Sequence, residues 1–319
     1  MKQKCLTLPI IAISIQHNIS CLDNLATQPQ PKGTLNMLYN KQPLSELLPT
    51  DLDFAVEFEP TKVQDKKYVI NGETGEYLGV VGESFNCANH TDFFGGVYDT
   101  VTEHLDDDAC KDMKVKWNVA KHNAWAMMDI TLPNVTALIE NDKHSTEVGQ
   151  RIIALHGIDG SCSNQTYFGA IDFFCTNGMI RGEHDKVRRK NTSNFSMDRF
   201  INDLTHSQQS FYAQSEQLQR WAVKPLFIAD VKSMLETLLK SDRTVEKMMG
   251  LYNQETAVRG QNAWALYSAF TNFATYADER NGFSLRNTGK DTEAISMFTR
   301  EQKVSQWIDS APFKQLIAA

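Results

Sequence analysis

Met113–Pro133 reads MKVKWNVAKHNAWAMMDITLP, and this stretch decides the fold. Val115, Trp117 and Val119 alternate with Lys114, Lys116 and Asn118. After a turn at His122-Asn123 the alternation resumes through Ala124, Ala126, Met128, Ile130 and Leu132. A period of two marks a β-strand, whose successive side chains point to opposite faces. Two such runs around a polar turn predict an antiparallel hairpin. One face is apolar and the other carries lysines, which predicts a sheet covered on one side.

Working outward, Asp51–Pro60 alternates Phe54, Val56 and Phe58 with charged neighbours and reads as a half-buried strand. KYVINGETGEYLGVV gives two short strands around Asn71-Gly72, with a second turn at Gly75. Phe93, Val97, Val101 and Leu105 recur every four residues and predict a helix capped by Asn89 or Thr91, with Gly95-Gly96 weakening it. Downstream, QRIIALHGIDGS and QTYFGAIDFFCTNG form a strand–turn–strand pair, with Arg151 opening the first strand. From Ser196 onward the pattern is helical, ending in a last helix from about Arg300 to Ile317. Strands first and helices after predict an α+β fold: a small antiparallel sheet of hairpins with one inserted helix, then a helical C-terminal half.

The predicted boundaries are an N-terminal extension or linker over 1–50, a sheet domain over 51–198, and a helical region over 199–319 packed on it. Pro29, Pro31, Gly33, Pro43 and Pro49 break up the linker. Two lysines precede the apolar run Leu6–Ile15, which imitates a secretory signal but is too short to cross a bilayer. The reading preferred here is an extension, ahead of a core-docking segment and an export signal. Six cysteines, at 5, 21, 87, 110, 162 and 175, form no CxxC. They read as reduced thiols of a cytoplasmic protein.

Net charge is −7, but unevenly spread. Residues 1–112 carry 8 basic and 17 acidic side chains, whereas residues 113–199 carry 11 and 9. The global acidity therefore does not exclude a local anion site. Arg181, Lys186, Arg188, Arg189 and Lys190 cluster after an apolar run, and Arg199 follows. With Lys114, Lys116 and Arg151 on neighbouring strands, these cations are expected to gather in one trough that binds phosphate backbones by charge and counterion release. Trp117, Tyr167 and Phe168 are candidates to stack bases if exposed. The competing reading is a surface loop whose charges pair with Glu183, Asp185 and Asp198.

The sequence has no GxxxxGKS/T, HExxH, GxSxG or EF-hand loop, and no GxGxxG after a strand. His156, Asp159, Cys162, Cys175 and His184 match no zinc spacing. Asp106, Asp107 and Asp108 read as a solvated helix end. No cofactor, metal or catalytic residue is expected.

Thr74-Gly75, Leu78-Gly79, Val81-Gly82 and the downstream Phe85 and Asn89 make a block that resembles the opening of the phage/plasmid-like family built on domain of unknown function 932. Asp159-Gly160-Ser161 is similar to that family's HDGS turn. Cys175 and Asn177 resemble its C-x-N strand end, and Arg189, Thr192 and Asn194 its RHT-x-N segment. The similar blocks run in family order over roughly 51–279. The arginine expected before the cysteine and the histidine of RHT are absent here. The resemblance implies a phage, prophage or plasmid protein acting in a host cytoplasm, and it assigns no reaction.

The leading expectation is an ATP-independent single-stranded nucleic-acid-binding protein of annealing or recombination type, more a binding protein than an enzyme, assembled as a homo-oligomer and not membrane-bound. The alternatives are a factor that captures a host enzyme or defence protein and, last, a metal-dependent nuclease.

Overall fold

The computed structural model describes residues 42–173, 178–180, 186–189, 197–276 and 293–318. These fall within one compact unit, Tyr39–Ala319. The α+β plan is found, with two antiparallel sheets in place of one. After a short helix α1 (Leu44–Leu47), strands β1 (Val56–Pro60), β2 (Lys66–Asn71) and β3 (Tyr77–Gly82) form a three-stranded sheet in chain order. Its second turn needs Gly75 at φ +72°, and the Asn71 side chain accepts from the backbone N–H groups of Glu73 and Thr74.

The inserted helix is α2, His90–His104, with Phe93, Val97 and Val101 buried as their spacing predicts. Asn89 occupies the cap position without capping: its Oδ1 accepts from the Val56 backbone N–H at 2.9 Å and ties α2 to β1. A short helix α3 (Asp107–Cys110) follows, capped by Asp106, whose carboxylate accepts from the Ala109 N–H at 2.7 Å.

The larger sheet runs β4 (Lys114–Ala120), β5 (Trp125–Glu140), β6 (Ser145–Gly157), β7 (Asn164–Asp172) and β8 (Gly178–Ile180), with β9 (Lys186–Arg189) sharing the outer edge of β7. The predicted hairpin is β4–β5, in register from Lys114 opposite Thr131 to Ala120 opposite Trp125. β5 extends well past Pro133, because the register slips between Leu132 and Thr136 and the irregularity takes a residue that cannot donate to the ladder. β6 starts at Ser145, so Arg151 lies in mid-strand and does not open it. Part of the basic stretch, Lys186–Arg189, is strand β9.

The helices α4 (Met197–Ala222), α5 (Ile228–Leu239), α6 (Asp242–Arg259) and α7 (Ala263–Tyr276) follow. The single last helix of the sequence reading is two, α8 (Glu293–Asp309) and α9 (Ala311–Ala318), broken at Ser310. The Ser310 hydroxyl donates to the Trp307 carbonyl and accepts from the Phe313 N–H.

The main core lies between the apolar face of the large sheet (Ala126, Met128, Ile130, Ile152, Ala154, Phe168) and helices α2, α4 and α7. α7 is buried at every position except Asn272 and Thr275, as expected of a helix at the centre of a core. The opposite face is not open, contrary to the one-sided sheet expected. A second cluster there joins Trp125, Met127, Ile153, Leu155 and Tyr167 to Phe298 of α8.

A buried cation stitches the far end of the sheet to the helices. Arg259, 1% exposed, bonds Asp172 of β7 at 3.0 Å and Glu255 one turn back on α6, and lies over the Trp264 ring. Thr146 donates to the other Asp172 oxygen, and Asn272 of α7 donates to Glu255. Removing one member of a buried ion network strands the others without a partner. Arg259→Leu is expected to cost about 3–5 kcal/mol in denaturant unfolding. Arg220→Ala, at an exposed i,i+4 pair, is expected to cost less than about 0.5 kcal/mol.

Candidate functional site

The predicted cationic face can be traced by register. Lys116 pairs with Asp129, Asp129 with Ile153, Ile153 with Tyr167, and Tyr167 with Lys186. One row over, Lys114, Thr131, Arg151, Gly169 and Ile180 align. Directly opposed residues share a face, so Lys114, Lys116 and Arg151 belong to one side of the sheet. Lys114 and Lys116 are exposed on β4, a free edge strand, and neither is ion-paired among the described residues.

Arg151 is different. It is 4% exposed and held between two carboxylates. Its Nε and Nη2 donate to Asp129 at 2.8 and 2.6 Å, and Nη1 donates to Glu301 of α8 at 2.9 Å. Burial alone opposes the guanidinium charge, but Asp129 and Glu301 outweigh it and raise its pKa. Burial likewise pushes the Glu301 carboxyl up, against the pull of Arg151. Arg151 therefore leaves the trough: its charge is spent inside the protein. The aromatics are corrected in the same way. Tyr167 and Phe168 are each 3% exposed, and Trp117 is half-buried with its ring edge-on to Phe94.

Arg188 stands opposite Gln165 and Arg189 opposite Asn164 on β9. Arg199 lies in the first turn of α4. Arg181 and Lys190, with Cys175, Asn177, Thr192 and Asn194 of the family-like blocks, lie outside the described residues.

The remaining motif residues converge on one corner of the large sheet. Lys121, His122 and Asn123, between β4 and β5, are all left-handed, with φ of 55°, 52° and 67°. Side chains other than Gly and Asn tolerate that region poorly, so three in succession must be held by their surroundings. Lys121 Nζ reaches Asp159 Oδ2 at 2.9 Å, His122 pairs with Glu76 at 3.0 Å, and Asn123 donates to the Asp51 carbonyl. Asp159 Oδ1 also accepts from the Ser161 N–H and hydroxyl. Gly79 lies against this turn: an added Cβ would come 3.0 Å from the Asp159 Cβ. Gly160 has φ +76°, with Val81 beside it. Leu78 packs on Phe54, Ala124 and Ile158. Nothing in the structure explains glycine at position 82, where a Cβ would meet open space.

Both Asp159 oxygens are engaged, so the corner braces the loops that meet there. Cys87 beside it is held as a thiol, its pKa raised to about 12 by burial. Among the described residues no group of three or more His, Cys, Asp or Glu is placed to hold a metal ion.

Beneath the corner lies a feature the sequence reading missed, a buried histidine pair. The Asn123 carbonyl can only accept, so His90 Nε2 carries a proton and donates to it at 2.8 Å. His90 Nδ1 then accepts from His156 Nδ1 at 2.9 Å, leaving both rings neutral. The rings pack among Phe54, Phe93 and Phe94. Burial lowers the His90 pKa to about 4 against the Asn123 carbonyl, and burial followed by His90 lowers that of His156. The sequence signal is slight: His156 ends the apolar run Ile152–Leu155, and His90 stands just ahead of Phe93-Phe94.

Unfolded histidine takes up a proton near pH 6.5 and folded His90 only near 4. The unfolded chain thus holds more protons in that window, and stability is lost as pH falls through it. The expected loss from His90 alone is on the order of 3 kcal/mol between pH 6.5 and 4. Urea unfolding at stepped pH checks this: His90→Gln should flatten the slope by about one proton, whatever its effect at pH 7.

Among the described residues no helix is long and apolar enough to cross a membrane. No curated protein and no solved structure matches the chain at a significant level. The family model described as "Domain of unknown function (DUF932)" matches residues 77–305, from the end of the small sheet to α8. With the motif residues of β3 and the β6–β7 turn meeting at one corner inside that span, the chain belongs to the DUF932 family.

Proposed function

We propose that this protein binds single-stranded nucleic acid without nucleotide hydrolysis and serves annealing or protection of strands. The observation that carries the reading is the pair of exposed lysines on the edge of the large sheet, Lys114 and Lys116, which have no ion pair among the described residues. The register that leads from Lys116 across to Lys186 supports it. Arg181, Lys186, Arg188, Arg189, Lys190 and Arg199 complete the proposed binding set, now without Arg151. In this reading it is a phage, prophage or plasmid protein that works in the host cytoplasm as a homo-oligomer, which extends the phosphate track from copy to copy.

Edge lysines also deter strand-to-strand aggregation, and a titration separates the two roles. Fluorescence polarisation with a short oligodeoxythymidylate is expected to show affinity falling steeply with salt. Lys114→Ala with Lys116→Ala should weaken binding and reduce the slope of log K against log salt by about 1.4. Absence of binding at low salt rejects the reading, and an unchanged slope removes the β4 edge from it.

A second reading, capture of a host protein, has one observation in its favour. Tyr77 and Val80 of β3 are 61% and 55% exposed, and the exposed Glu57 and Glu59 lie on the same small sheet. A metal-dependent nuclease has no comparable observation behind it.

A further inference from the structure

We propose that the first half of α8 is an internal competitor for the cationic face, with the Glu301 carboxylate standing where a phosphate of the bound strand would stand. The inference rests on the nucleic-acid reading and concerns its regulation. α8 lies on the side of the sheet that carries Lys114, Lys116 and Arg151, and it approaches both β4 and β8. Three contacts fix it there. Glu301 accepts from Arg151 Nη1, Gln302 donates to the Tyr167 hydroxyl at 2.7 Å, and Phe298 packs edge-on against the Tyr167 ring. A carboxylate and a phosphate use a guanidinium in the same way, through short charge-assisted bonds to its N–H groups. α8 therefore covers a cation and an aromatic hydroxyl that stay outside the binding set while it is docked and join it only when its first half lifts.

The charge balance makes Glu301 the replaceable member. Asp129 already binds Arg151 through two nitrogens, and that pair is neutral without help. Glu301 adds a second carboxylate to Arg151, in a place where burial and Asp129 work against its charge and Arg151 and Arg300 favour it. An incoming phosphate would take over the Nη1 bond and leave the Arg151–Asp129 pair intact.

The packing is divided in the same sense. Val304, Trp307 and Ile308, in the second half of α8, belong to the main core with Phe270 and Phe273. The first half has its apolar contacts in the smaller cluster, where Ala294, Ile295 and Met297 are partly buried and Phe298 fully so, and its buried Arg300 donates from Nε to the Ala274 carbonyl of α7 at 3.0 Å, a contact that opening must break. Segments with few buried apolar contacts open at lower free energy than the core they adjoin. Residues 293–302 can thus lift while the remainder of the helix stays anchored.

Hydrogen exchange on the intact wild-type chain, with and without an oligodeoxythymidylate, tests this. Amides of 293–302 should exchange faster with the oligonucleotide bound, and those of α2 should not change. Glu301→Gln should bind the same probe about 5- to 10-fold more tightly at low salt, the usual size of such a coupling. Binding by wild type without faster exchange in 293–302 overturns the competitor role and leaves the nucleic-acid reading standing. So does a folded Glu301→Gln that binds no more tightly. If neither protein binds the oligonucleotide, both the reading and the inference fall. Should Glu301→Gln fail to fold, the wild-type exchange result decides alone.

Discussion

A charge in the middle of a strand buried on both faces has to be neutralised where it stands. β6 meets that condition: from Val148 to Gly157 every residue is buried. Its apolar face supports α2 and α4, and its other face supports α8. Arg151 points into that second layer, and an unpaired guanidinium there would carry a desolvation cost of several kcal/mol. Asp129 on the neighbouring strand answers it in part, and Glu301 closes the arrangement from a helix 150 residues away. The loss of Arg151 from any outer surface and the ion contact α8 makes with the sheet both belong to that arrangement.

Arg259 repeats the solution at the other end of the sheet. It too draws on two carboxylates from different elements, Asp172 on β7 and Glu255 on α6. Networks of this kind add little net stability relative to well-packed apolar side chains. Their effect is on choice among arrangements: a helix docked one turn out of place leaves a buried charge unanswered. In a protein whose second half is a succession of amphipathic helices, two such points set which helix lies on which part of the sheet.

The periodic parts of the fold were legible in the sequence. The β4–β5 hairpin, the register-defining turn near Asn123, the inserted helix with Phe93, Val97 and Val101 inward, and the change to helices after Ser196 all follow from local pattern. The errors have a common physical origin. Lys114, Lys116 and Asn118 made one face of β4 look open, yet β4 is an edge strand and its alternation reports only the edge. On β5 and β6 the same face is Trp125, Met127, Ile153 and Leu155, apolar and covered. Arg151 looked like one more surface cation because its partners lie on other elements, and Asp129 carries no local sign that it faces a guanidinium. The break at Ser310 was hidden because Trp307, Ile308 and Phe313 keep an apolar spacing across it.

The corner where the family-like residues meet shows why shared motifs need not mean a shared reaction. Gly79 and Gly160 are there because backbone and side chains approach closely, and Asp159 because it joins Lys121 to the turn that holds Ser161. The strained run Lys121–Asn123 is stable only while Asp159, Glu76, Asp51 and His90 hold it. His90 in turn depends on His156 in mid-sheet. A residue lost from this chain of contacts would loosen the β4–β5 turn, which adjoins Ala120 and Trp125, whereas Lys114 and Lys116 lie at the other end of β4. The brace thus fixes the turn end of β4, and the ladder to β5 fixes the end that carries the lysines.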